Sequence, residues 1–149
     1  MDMGAIFLGL ASALIGGLLG VFATYWRTKY TIKEQDLSKR VEELCTSVSK
    51  LEELCCAYFS DVESRRTISK PYVLGVKTKI TLLMDYLNKQ YSGFYTVTIS
   101  SMLVNFFKAC TGGDFESLDS KVDPERQREI LITGETLKIE IMRTRNLLY

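Results

Sequence analysis

Histidine is missing from all 149 residues, which removes the commonest general base, the usual zinc ligand and the Ser–His and Cys–His nucleophile pairs. A phosphate loop is missing too, since Gly112-Gly113-Asp114 has neither the Lys nor the Ser/Thr that a P-loop requires. Proline occurs twice, and low-complexity tracts and internal repeats are absent. A net charge of +1 asks for no general nucleic-acid partner. These gaps point away from an enzyme and away from any cofactor or metal. The four cysteines, Cys45, Cys55, Cys56 and Cys110, match no zinc-ligand spacing and read as small apolar residues, reduced if they face the cytoplasm. On the other side of a membrane they would allow two disulfides. Asp85, Asp114, Glu116 and Asp119 pair with nothing at the level of sequence and read as solvated carboxylates.

Charge is most completely lacking at the start. From Gly4 to Trp26 there is no ionisable acid or base, no proline and no amide side chain. At about 1.5 Å per residue such a helix rises roughly 34 Å, against a hydrocarbon core of about 30 Å. The segment begins Met1-Asp2-Met3 and ends Thr24-Tyr25-Trp26-Arg27, without the basic start and small-residue exit site of a cleaved signal peptide. The expectation is a retained transmembrane anchor over residues 1–26. Arg27, Lys29, Lys33, Lys39 and Arg40 crowd its downstream side, which by the positive-inside tendency puts the N-terminus outside and the remainder in the cytoplasm, at an inner membrane. Tyr25, Trp26 and Tyr30 suit an aromatic belt, with Arg27, Lys29 and Lys33 reaching lipid headgroups.

The roughly 120 residues beyond the anchor suffice for one hydrophobic core. Tyr30, Leu37, Val41, Leu44, Val48, Leu51, Cys55, Tyr58 and Val62 follow alternating steps of three and four, interrupted only at Glu34, predicting a stalk helix over 27–66. Residues 67–149 complete the bundle. A break at Thr67 to Lys70 precedes a second helix opened by Pro71, with Val73, Val76, Ile80, Leu83 and Leu87 on its buried face. Ser92-Gly93 makes a turn, and a third helix with Ile99, Met102, Leu103, Phe106 and Cys110 inward ends at Thr111-Gly112-Gly113. Asp123-Pro124-Glu125 supplies an N-cap, a first-turn proline and an N-terminal carboxylate for a fourth, with Ile130, Gly134, Leu137, Ile141 and Leu148 on one face. The fold class expected is all-α: one N-terminal transmembrane helix, then an antiparallel four-helix bundle with a long stalk.

Small residues recur at four-residue intervals in the span, Ala5, Gly9, Ala13 and Gly17 on one line and Ser12, Gly16, Gly20 and Thr24 on another. Small faces let helix backbones approach in lipid, and two of them allow a closed ring, which needs two contact surfaces per subunit. Val41 and Val48 at a with Leu44 and Leu51 at d suit a parallel two-stranded coil, although Leu54, Cys55, Tyr58 and Phe59 broaden the stripe towards a face packed on the chain's own helices. Ile132 and Ile139 form a second apolar line, away from the main stripe, that could meet another subunit.

Arg143-Thr144-Arg145-Asn146-Leu147-Leu148-Tyr149 resembles the start of the R-N-x4-H signature on the last helix of HEPN-type helical bundles. Arg145 and Asn146 match, and the His of the signature is absent. The layout of one span before a small bundle also resembles membrane accessory proteins of RNA-targeting CRISPR systems. This resemblance implies a fold relative without nuclease chemistry, acting in antiphage defence as a ring. The function expected is thus a homo-oligomer whose assembled spans form a pore in, or perturb, the membrane. The competing expectation is a tether that presents its bundle to a cytoplasmic protein partner and leaves the bilayer intact.

Overall fold

The computed structural model describes the backbone of residues 3–61, 63–64, 68–116 and 122–148, with side chains described from residue 16 onward except at 114 and 116. Among these residues the protein is all helix, with no strand. Helix α1 runs Met3–Ser60, α2 Lys70–Gln90, α3 Val97–Thr111 and α4 Pro124–Leu147, with a 3-10 turn at Gly113–Glu116 after α3. The chain divides into two compact units, residues 1–36 and 37–149.

In the first unit α1 carries no charged side chain from Gly16 to Trp26, and Leu18, Leu19, Val21 and Phe22 are 62–70% exposed. The hydroxyls of Thr24, Thr28 and Thr31 donate back to the carbonyls of Gly20, Thr24 and Arg27 at 2.8, 2.8 and 2.9 Å, so these polar groups are satisfied within the helix. Among the described residues no helix is long and apolar enough to cross a membrane. Of the span expected over residues 1–26, residues 1–2 and the side chains up to residue 15 lie outside those described.

The second unit is a four-helix bundle. Leu37, Val41, Leu44, Val48, Leu51, Cys55 and Tyr58 are each 2% exposed or less, so the three-four periodicity of α1 is the helix's inward face. Pairings across the bundle run antiparallel between sequence neighbours. Glu43 meets Lys79, and the Arg40 guanidinium lies over the Tyr86 ring at 5.4 Å, joining α1 to α2. Lys77 donates to Thr111 at 3.0 Å, joining α2 to α3. The Tyr58 hydroxyl of α1 donates to the Phe115 carbonyl in the 3-10 turn at 2.9 Å.

Local signals set the ends. Asp61 accepts the Ser64 amide at 2.6 Å and the Ser64 hydroxyl at 2.8 Å, so it starts a new turn and α1 stops six residues short of the expected Arg66. Pro71 stands in the first turn of α2, where its missing N–H would be unpaired anyway. Gly93 (φ 88°) and Gly113 (φ 59°) take the left-handed conformations that end or follow helices. Asp123 caps α4 by accepting the Arg126 amide at 2.9 Å.

That same first turn of α4 closes the ends of two other helices. The Arg126 side chain donates to the Ala109 carbonyl at 2.8 Å and to the Gly112 carbonyl, and lies over the Phe59 ring at 4.2 Å. Gln127 donates its amide to the Phe59 carbonyl at 2.9 Å, as does the Asp123 backbone at 3.1 Å. A fixed cation at the C-terminus of α3 thus answers both its orphan carbonyls and its dipole.

Replacing Arg126 by Ala is expected to cost about 2 kcal/mol, the range of hydrogen bonds made by a charged donor. Arg126→Lys should recover only part, because an ammonium keeps the charge but cannot span both carbonyls. Thermal unfolding of the full chain in mild detergent, followed by near-ultraviolet circular dichroism, ranks the three; equal midpoints would show that the clasp is not structural.

Candidate functional site

The residues proposed from sequence fall into four places. Gly16, Gly17 and Gly20 lie on α1 with nothing within 4 Å of the position a Cβ would take. Gly9 and Ala13, proposed with them, lie outside the described side chains. Trp26, Lys29 and Lys33, with Tyr30, line a shallow cleft of about 220 Å³ on the same helix. Arg27 is exposed and does not line it.

Val41, Leu44, Val48 and Leu51 are all within the core of this chain. The heptad face that would form a parallel coil is therefore occupied by the chain's own helices. Ile132 and Ile139 are 54% and 59% exposed on α4.

Arg145 and Asn146 stand near the end of α4, and the Arg145 guanidinium donates to the Asn146 side-chain oxygen at 3.0 and 3.2 Å. They engage each other, and the Arg145 charge also acts on the Cys45 thiol. Comparison with known families, curated proteins and solved structures finds no match for the chain.

The most unusual chemistry in the bundle sits where periodicity gave no signal. Glu52 is 6% exposed, at the seam of α1 and α4. One carboxylate oxygen accepts from the Lys138 ammonium at 2.9 Å, while the other, Oε1, has no hydrogen-bond partner. Lys138 also donates to Glu135 at 2.6 Å and to Ser49 at 3.1 Å. Burial raises the Glu52 carboxyl above its ordinary value of 4.5, against the opposing pull of Lys138. Burial lowers the Lys138 ammonium, but its bonds to Glu135 and Glu52 outweigh this and leave it raised.

Gly134 faces this carboxylate. A Cβ there would lie 1.8 Å from Oε1 and 2.6 Å from Cδ of Glu52. The glycine is what lets α4 approach the carboxylate, so the seam has no room for a substrate.

Cys45, Cys56 and Cys110 are held towards the protonated form. Burial raises Cys45, and raises Cys56 to about 11. Cys110 is raised by its hydrogen bond with Cys55 and by burial. Thiols held protonated are poor nucleophiles and poor metal ligands. Among the described residues no three His, Cys, Asp or Glu side chains are grouped to hold a metal ion.

A larger cleft of about 310 Å³ lies between the end of α3 and the start of α4, lined by Lys108, Gly112, Asp123, Glu125, Arg126 and Glu129. Its Arg126 and Asp123 are committed to helix ends. A groove of about 480 Å³ between α1 and α2 is bordered by Lys50, Tyr72, Gly75, Val76 and Lys79. Neither is lined by Glu52.

Two outcomes follow from the seam. Because the folded Glu52 holds its proton more tightly than the unfolded chain does, its contribution to stability is full below pH 4.5 and declines as pH rises through the raised folded value. Glu52→Gln cannot titrate, so it should gain on the wild type across that interval; a difference in unfolding midpoint that stays constant from about pH 4 to 8 would contradict this. Gly134→Ala should push the carboxylate off Lys138 and cost about 1–3 kcal/mol, as overpacking does. Most of that loss should vanish in a Glu52→Ala background, a double-mutant cycle read by thermal unfolding.

Proposed function

We infer that this protein is an oligomeric single-pass membrane protein, non-enzymatic, whose spans assemble through their small-residue faces and whose bundle is the cytoplasm-facing element. The observation that carries this reading is the first unit's helix. Leu18, Leu19, Val21 and Phe22 are 62–70% exposed around it, and a helix apolar on every side is stable only in a core or in lipid. The uncharged run from Gly4 to Trp26 gives it the length for lipid.

Gly16, Gly17 and Gly20 are open for close approach by another span. The bundle supports the same division of labour, since Val41, Leu44, Val48 and Leu51 are spent on its own core and leave assembly to the span. Assembled spans would enclose a lumen lined by Gly, Ala, Ser and Thr with apolar side chains, a narrow dewetting passage that depolarises the membrane and does not select ions. The Arg145 and Asn146 pair has no part in it.

Light scattering of the detergent-extracted chain, corrected for bound detergent, is expected to give a closed assembly of about six or more subunits, consistent with ring closure. Gly16→Leu with Gly20→Leu should reduce it to monomer or dimer and abolish depolarisation on expression. A wild-type monomer or dimer would remove the pore and leave the tether that recruits a cytoplasmic partner.

A further inference from the structure

We draw no further inference here: the strongest candidate, the groove of about 480 Å³ between α1 and α2 bordered by Lys50, Tyr72, Gly75, Val76 and Lys79, has both its lysines paired with the chain's own Glu53 and Glu43, and nothing in the structure shows what covers it.

Discussion

The first turn of α4 holds the bundle's ends together. A four-helix bundle leaves orphan carbonyls at the end of every helix, and those that are partly buried need partners from elsewhere in the chain. Here Asp123, Arg126 and Gln127 supply them to two helices from one turn. The same guanidinium lies over the Phe59 ring, so a cap on α3 is also a packing contact with α1. Because Asp123 fixes the Arg126 amide, the start of α4, the end of α3 and the end of α1 are set by a single local structure.

Further along the same helix pair, Glu52 and Lys138 fix register at a cost. A buried ion pair recovers its desolvation only with good geometry and full hydrogen bonding. Lys138 has three partners, whereas one oxygen of Glu52 has none. The raised Glu52 carboxyl expresses that imbalance. Gly134 meets the carboxylate where a Cβ would collide with it, so sliding α4 by one residue would set a side chain on a buried charge. The pair acts by penalising other registers, a role well attested for single buried polar groups at helix seams.

Helix faces were legible in the sequence because periodicity is local. The inward stripe from Leu37 to Tyr58, the turn at Gly93 and the Asp123-Pro124 start lie where spacing and cap chemistry put them, and most of each later face does too, although Val76, Leu83, Met102 and Leu148 are only half-buried and Met84, Ala109 and Thr144 are buried instead. Tyr30 continues the stripe on paper and is 60% exposed. Phe94 and Phe115 were invisible, since an aromatic in a turn has no period, yet both are buried. Asp61 was missed as a stop because its capping of Ser64 competes with a helix pattern that the apolar residues would otherwise extend. The Glu52–Lys138 seam joins residues 86 apart; nothing local marks Glu52, and only the glycine at 134 inside a helical pattern hinted at a close approach. Of the candidate functional residues, the glycine line and the aromatic–basic cluster were read from the sequence, and the sharing of one cleft by Trp26, Lys29, Tyr30 and Lys33 emerged from the helix geometry.

The competition for apolar surface then limits what the two units can do. A helix stripe can serve one interface at a time, and the stripe of α1 from Leu37 onward is spent on the bundle core. What the bundle leaves exposed is scattered: Ile132 and Ile139 stand on a face that also carries Arg128, Glu135 and Arg143. Isolated exposed apolar residues among charges are ordinary for a folded surface and supply little drive for association. The first unit is the reverse over most of its length, without a charge from Gly4 to Trp26. An assembly of the kind proposed would draw on this uncharged run and not on the bundle's surface.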